Sequence, residues 1–164
     1  MATTNTSKKD LKYFMRESAK TDEIVTAPGP ETILDENGNV IELEIKVLNQ
    51  ATIQKINEGY RKRTIATDKK GQPYIANGEV VYKVEKDSAR AVRHIIAEAL
   101  VYPNLKDTEL MKFFECADIT EMPLKVFPRA DEYAHVSRVV MAALGMGPAE
   151  APQDDDSEVN DAKN

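Results

Sequence analysis

Residues 97–110 read AEALVYPNLKDTEL, and this stretch joins the end of an apolar helix to the start of a new one. Pro103 has no backbone N–H to donate and disfavours helical geometry at Tyr102, so we expect the first helix to end there. Asp107 or Thr108 can accept hydrogen bonds from the free amides that begin the next helix. The stretch therefore predicts a corner between two helices, and it contains no group suited to catalysis.

Apolar residues recur at helical spacing through the rest of the C-terminal half. The spacing predicts four helices, which begin at Asp87 or Ser88, at about Asp107, at Ile119 or Thr120, and at about Arg129. They end at the Tyr102-Pro103 corner, near Cys116, before Pro128, and at Leu144, where Gly145 follows as a C-terminal glycine. Together they indicate an all-helical segment from about residue 87 to residue 146.

Two segments before residue 48 are typical of β-strands. Glu23–Ala27 is compatible with a strand and ends at Pro28-Gly29-Pro30, which breaks regular structure. Val40–Val47 alternates apolar and polar residues, the pattern of a half-buried strand. Between them, Asp35–Asn39 reads DENGN, in which Asn-Gly suits the positive φ angles of a hairpin turn. These segments predict a small antiparallel sheet.

The middle of the chain allows two interpretations. Asn49 begins a predicted helix that runs to about Arg63, with its apolar residues spaced along one face. After it, turn signals at Lys69–Pro73 and at Asn77-Gly78 separate segments that could be strands. Residues 64–86 are therefore expected to form either a hairpin or an ordered loop.

These patterns predict an α+β, mainly α, fold. A small N-terminal antiparallel β region, within about residues 10–86, is followed by a C-terminal helical bundle in about residues 87–146, and the two form one domain. Residues 1–9 are small, polar and basic and are expected to be disordered. Residues 147–164 contain six acids and one base with almost no apolar content, so we expect a disordered acidic tail.

Composition and charge exclude several classes of protein. The net charge is −6, and the acidic tail carries −5 of it, which leaves −1 for the rest of the chain and makes a nucleic-acid partner improbable. A single cysteine allows no internal disulfide, and no apolar run is long enough to cross a membrane. Isolated glycines match no phosphate-binding loop. We therefore expect a cytosolic protein without a cofactor, a metal or a membrane partner.

Few residues are candidates for a catalytic or metal-binding site, and each has a simpler structural explanation. His94 and Glu98 are four residues apart on one helix, which could serve a metal or a general base, but no third ligand or nucleophile accompanies them. We favour a structural histidine and expect no enzyme here. Cys116 lies near a helix C-terminus, which does not favour a thiolate, and is interpreted as a small core residue.

A basic region at residues 55–70 supports an alternative function. Lys55, Arg61, Lys62 and Arg63 could contact phosphates in a small nucleic-acid-associated or regulatory protein. The pattern is better explained by a solvated helix end, where cations suit the helix dipole. A contact with an acidic partner segment is the other use of these residues.

The order of the segments resembles the XkdN-like tail assembly chaperones of tailed bacteriophages. The resemblance rests on three motifs, which are the "VYP-L-D-EL"-like corner at Val101–Leu110, the amphipathic segment Met122–Pro128, and Glu132-Tyr133-Ala134 at the start of the last helix. It spans about Asp10–Gly145, whereas the segment Thr64–Lys86 and the acidic tail depart from the family pattern.

This resemblance implies a non-enzymatic role in tail assembly. Such proteins bind the tape measure protein, keep it soluble and help the major tail protein polymerise around it, and they are absent from the mature virion. The expected place of action is the host cell cytoplasm, and a homo-oligomer is compatible with the role. The residues expected to shape the fold or contact the partner are Tyr102, Leu105, Phe113, Phe114, Met122 and Met141.

Overall fold

A computed structural model describes residues 10–15 and 23–147. These residues form a 3-10 helix at Leu11–Tyr13, five α-helices and seven strands. The helices are α1 (Gln50–Gly59), α2 (Ser88–Ala99), α3 (Thr108–Phe113), α4 (Met122–Val126) and α5 (Ala130–Ala143). The strands are β1 (Ile24–Pro28), β2 (Glu42–Lys46), β3 (Arg61–Ile65), β4 (Ile75–Ala76), β5 (Glu79–Val80), β6 (Tyr82–Lys86) and β7 (Leu100–Tyr102). The segments predicted to be disordered, 1–9 and 147–164, lie outside the described residues apart from Gly147.

The main sheet has the strand order β1-β2-β7, and both pairs are antiparallel. The predicted pairing of the first two strands is confirmed, with Ala27 opposite Leu43 and Val25 opposite Ile45. Alternation along β2 buries Leu43 and Ile45 against the core and leaves Glu42 and Glu44 exposed on the outer face. The predicted DENGN turn is also present, because Gly38 has a φ of +81° and Asp35 accepts hydrogen bonds from two turn amides.

The corner in the stretch 97–110 contains a strand that the sequence analysis missed. Helix α2 ends at Ala99, and Leu100–Tyr102 pairs with β2 as β7. Leu100 is buried opposite Ile45, and its contact with the sheet favours an extended backbone over another helical turn. The prediction that the helix continues to the Tyr102-Pro103 corner is therefore wrong, although Asp107 caps α3 as expected by accepting from the amides of Glu109 and Leu110.

The predicted fold class, mainly α with a C-terminal helical bundle, is also wrong. Helix accounts for 38% and strand for 24% of the described residues, and the three small antiparallel sheets make the fold mixed α/β. Helices α3 and α4 have only six and five residues, which is too short for lengthwise packing in a bundle. One strand of the main sheet also comes from the half predicted to be all helical.

The hydrophobic core lies between the main sheet and the helices. Its centre is α2, which buries Ile95, Ile96 and Ala97 and packs against α1, α4 and α5. The other buried side chains come from both halves of the chain, and they include Leu43, Ile45, Ile53, Leu105, Met122, Phe127, Val136, Val140 and Met141. The fold therefore depends on contacts between segments far apart in sequence.

Residues 61–86, which we call the arm, form a β-ribbon whose side chains are mostly exposed. Strands β3 and β6 pair from Arg61 opposite Lys86 to Ile65 opposite Tyr82, and the small β4–β5 hairpin lies beyond them. The hairpin interpretation of this region is confirmed. The prediction of a helix through Arg63 is wrong, because α1 ends at Gly59 and the basic run lies on β3, where its backbone bonds to β6. The interpretation of Arg61-Lys62-Arg63 as a solvated helix end is therefore also wrong.

Asp118 joins the loop before α4 to helix α2. Its carboxylate accepts from the hydroxyl of Thr120 at 2.7 Å and from the amide of Thr120 at 2.9 Å, and it pairs with the guanidinium of Arg90. The Thr120 hydroxyl, the Thr120 amide and Arg90 together hold the pKa of Asp118 below its ordinary value of 3.8. The ionised carboxylate therefore stabilises the folded state.

We expect Asp118→Asn to lower Tm at neutral pH by a few degrees at most. The amide keeps an acceptor for Thr120 but loses the ion pair with Arg90, and both partners are more than one-third exposed, so solvent screens the pair. A lowered pKa in the folded state stabilises the fold above pH 3.8, and this contribution disappears as the pH falls through the folded pKa. Thermal unfolding at stepped pH should show the Tm difference narrowing below pH 3.8, and a difference that stays constant there would contradict the assignment.

Candidate functional site

The six residues singled out in the sequence divide into two groups. Leu105, Met122 and Met141 are buried in the core, so they act on the fold. Tyr102 and Phe113 are 51% and 78% exposed, and the half-buried Phe114 packs edge-to-face against Phe113. Of the six side chains, Tyr102 and Phe113 are therefore the two that are exposed.

An apolar cavity of about 260 Å³ opens beside Tyr102. Four parts of the fold form it, namely the β1–β2 loop, strand β2, the Tyr102-Pro103 corner and the end of α4. Its lining is almost entirely apolar, and it consists of Pro30, Ile33, Leu34, Ile41, Leu43, Tyr102, Pro103, Val126 and Phe127. A pocket of this chemistry accepts apolar side chains and offers no group for acid–base work.

The loop wall of this cavity is attached to helix α5. The hydroxyl of Thr32 donates to the carboxylate of Glu132, which is buried, and Nε2 of His135 lies 2.9 Å from the carbonyl oxygen of Pro28. These bonds connect residues about 100 positions apart and hold the β1–β2 loop in place. Glu132 of the Glu132-Tyr133-Ala134 motif thus helps to hold the loop that lines the cavity.

Strand β7 presents an edge beside the same cavity. It pairs with β2 on one side, and no strand of the described chain pairs with it on the other. Val101 and Tyr102 are exposed on this strand, and Leu34 is 52% exposed across the cavity. An edge strand next to an apolar pocket can bind an extended segment through backbone hydrogen bonds and through side chains that enter the pocket.

A second apolar surface lies on α3. A shallow hollow of about 560 Å³ is lined by Met111, Cys116 and Ala117 with the polar residues Thr108, Lys112 and Glu115, and Phe113 projects from the same helix. Cys116 is half-buried, and its thiol lies 3.3 Å from the carbonyl oxygen of Asp118. This hollow is more open than the cavity at Tyr102.

The arrangement around His94 gives no catalytic constellation. Nδ1 of His94 lies 2.8 Å from the hydroxyl of Tyr60, and the carboxylate of Glu98 pairs with the ammonium of Lys106 at 2.9 Å. Both residues line an open groove of about 450 Å³ between α1 and α2. Within residues 10–15 and 23–147, no group of three or more His, Cys, Asp or Glu side chains is arranged to hold a metal ion.

The basic residues of this region lie on two different elements. Lys55 lies on α1 beside the His94 groove, whereas Arg61, Lys62 and Arg63 lie on the arm. The guanidinium of Arg63 stacks 4.3 Å from the ring centroid of Tyr82. The basic region 55–70 therefore begins on a helix and continues on the arm.

The corner is recognisable in the sequence, whereas the cavity is not. Ile33, Ile41 and Phe127 have no special spacing relative to Tyr102, and the first and last of them are 94 positions apart. The available signal was the presence of two short apolar pairs, Ile33-Leu34 before the DENGN turn and Val126-Phe127 at the end of the amphipathic segment Met122–Pro128. In the part of the chain that the structure describes, no helix is long and apolar enough to span a bilayer.

Comparison with known proteins gives consistent results for most of the chain. A family model described as "Phage XkdN-like tail assembly chaperone protein, TAC" matches residues 11–163. Two Bacillus subtilis (strain 168) proteins are similar in sequence. YqbN is 29% identical over 77% of this chain and 77% of its own length. The phage-like element PBSX protein XkdN is 26% identical over 82% of this chain and 84% of its own length.

A solved structure shares the fold. The crystal structure of YqbN superposes with a TM-score of 0.60 and 23% sequence identity, over 84% of this chain and 97% of the YqbN chain. The crystal structure of YqbN therefore has the same mixed α/β fold.

Proposed function

The chain belongs to the XkdN-like family of phage tail assembly chaperones, and from this premise we propose that it binds the tape measure protein and keeps it soluble. Membership of the family implies phage tail proteins as partners and points away from catalysis. In the proposal, the bound tape measure protein is presented to the major tail protein, which polymerises around it. The chaperone acts in the host cell cytoplasm and is absent from the mature virion.

The observation that carries the proposal is the apolar cavity beside Tyr102. A tape measure segment is kept soluble when its apolar side chains are covered, and this cavity offers an apolar lining next to an exposed aromatic residue. The adjoining edge of β7 supplies backbone groups that can bind an extended segment. Tyr102 combines a large apolar ring with a hydroxyl, a type of side chain that is frequent at binding hot spots.

Co-expression with the tape measure protein of the same phage tests the proposal. We expect Tyr102→Lys to weaken the complex at least about tenfold, since truncated tyrosine hot spots cost about 2 kcal/mol or more. Lysine at this position lies opposite Glu44 in the sheet, so the strand pairing keeps a favourable cross-strand contact. The measurements are the soluble yield of the tape measure protein and the affinity of the purified complex.

The matched control is Tyr13→Lys, which changes another exposed tyrosine on the 3-10 helix. It should leave both the yield and the affinity unchanged. Equal affinity of wild type and Tyr102→Lys would show that the cavity is not the contact surface. A wild-type chain that neither raises the soluble yield nor co-purifies would overturn the proposed function itself.

A further inference from the structure

The arm carries an unpartnered face that combines cations with apolar side chains. Because side chains alternate along paired strands, the β3–β6 register places one set of residues on one face of the ribbon. This set, which we call the basic face, consists of Arg61, Arg63, Ile65, Tyr82, Val84 and Lys86. It contains three cations, three large apolar residues and no acid. All six residues are exposed.

The exposure of this face is unusual for a ribbon. Ile65 is 46% exposed, Tyr82 is 49% exposed and Val84 is 68% exposed. A two-stranded ribbon without a packed face is only marginally stable in water, and clustered exposed apolar residues are typical of interaction surfaces. The stacking of Arg63 on Tyr82 presents the cation next to the apolar patch. The face is therefore suited to a partner that offers acids beside apolar groups.

The outer face of the main sheet has this chemistry. Glu42 and Glu44 project from β2 on the side away from the core, and their cross-strand neighbours on β1 are Pro28 and Thr26. Ile24 is 53% exposed at one end of this surface, where it lies opposite the half-buried Lys46. We call this surface the acidic face; it consists of Ile24, Thr26, Pro28, Glu42, Glu44 and Lys46, and it holds two acids beside one cation at its end. Ile24, Thr26, Pro28, Glu42 and Glu44 are exposed on it.

The charges of the whole chain are divided in the same way. Residues 61–86 hold seven Lys or Arg and three Asp or Glu, a net charge of +4. The rest of the chain holds 15 Lys or Arg and 25 Asp or Glu, a net charge of −10, of which residues 147–164 carry −5 and the part outside both the arm and this tail carries −5. Two copies of the chain therefore attract each other where the arm of one meets the acidic part of the other.

We propose that the basic face of the arm in one copy packs on the acidic face of the main sheet in a second copy. The same contact made in both directions gives a closed dimer with an isologous interface. Arg61 and Arg63 then meet Glu42 and Glu44, and the apolar residues of the arm lose water against Ile24 and Thr26. A nucleic acid is less suitable for this face, because a phosphate backbone offers no apolar partner for Ile65 and Val84.

A charge exchange tests the proposal. The arm variant carries Arg61→Glu and Arg63→Glu, and the sheet variant carries Glu42→Lys and Glu44→Lys. Sedimentation across a concentration series should show a wild-type dimer, whereas each variant alone stays monomeric because its two faces now have the same sign of charge. An equimolar mixture of the two variants should regain the dimer mass, since each acidic arm meets a basic sheet and each basic arm meets an acidic sheet.

A shortened chain controls for folding. Arg61 and Lys86 are cross-strand partners, and the amide of Asp87 donates to the carbonyl of Tyr60 at 3.0 Å, so the two ends of the arm are adjacent. Replacing residues 62–85 by Asn-Gly closes a two-residue hairpin at this point. We expect this variant to keep the Tm of the wild type and to be monomeric at every concentration.

Several results would overturn the inference. These are a wild-type chain that is monomeric throughout the series, a shortened chain that still forms the dimer, and a mixture of variants that gains no mass. A salt-sensitive mobility shift with nucleic acid that the arm variant loses, without any change in mass, would assign the basic face to nucleic acid instead. None of these measurements involves the tape measure protein, so their outcome is independent of the proposed function.

Discussion

Leu105→Ala should lower the free energy of unfolding by about 2–5 kcal/mol, the range for removing a leucine side chain from a packed core. Leu105 lies in the corner between β7 and α3, and none of its surface is exposed. Its side chain belongs to the same core cluster as Met122 and Phe127, so the substitution leaves a cavity that a short loop cannot refill. Denaturant unfolding followed by circular dichroism gives the value.

Phe113→Ala is the matched control for this prediction. Phe113 lies on the next helix, was singled out by the same reasoning and is 78% exposed. It loses only the edge-to-face contact with Phe114, which corresponds to about 1 kcal/mol or less. If the two variants were equally destabilised, the division of these residues into core and surface would be wrong.

Gly29→Ala should cost about 1–3 kcal/mol, although the change adds a single methyl group. A Cβ atom at this position would lie 2.6 Å from the carbonyl oxygen of Ile41, which also accepts a hydrogen bond from the Gly29 amide at 2.8 Å. Prolines on both sides restrict the backbone, so the loop cannot easily move away. Thermal and denaturant unfolding measure the loss.

Gly59→Ala provides the comparison. Gly59 is the last residue of α1, and a Cβ atom there has no neighbour within 4 Å. Alanine restricts the unfolded chain and suits a helix, so we expect a gain of about 0.5 kcal/mol. A loss at Gly29 no larger than the change at Gly59 would contradict the close approach of the two loop segments.

Local chemistry made several elements predictable. The caps at Asn49, Asp87 and Asp107 are present, and each side chain accepts from an amide two or three residues further along. The last helix lies close to its predicted range, and Gly145 follows it with a φ of +70°. The division into one domain at residues 10–146 with two disordered ends stays a prediction.

The candidate site was predictable only in part. The corner motif contains Tyr102, which lies at the mouth of the cavity, and Phe113, also expected to shape the fold or contact a partner, is exposed on α3. The other walls of the cavity come from a loop without a recognisable motif and from Val126-Phe127, which belong to the Met122–Pro128 motif but carry no signal of their place beside Tyr102. The burial of Leu105 and Met122 could not be predicted either, because the sequence does not distinguish a buried apolar residue from an exposed one at a loop or helix boundary.

The caps, the turns, the alternation of β2 and the family could all be predicted from the sequence, since they depend on residues a few positions apart or on an ordered set of motifs. The tertiary structure decided that Leu100–Tyr102 is a strand and that the basic run lies on a ribbon. Both outcomes follow from backbone hydrogen bonds to partners distant in the chain, β2 for the first and β6 for the second. Such pairings override local helical preference, because a strand is stabilised by its neighbour in the sheet and not by its own sequence.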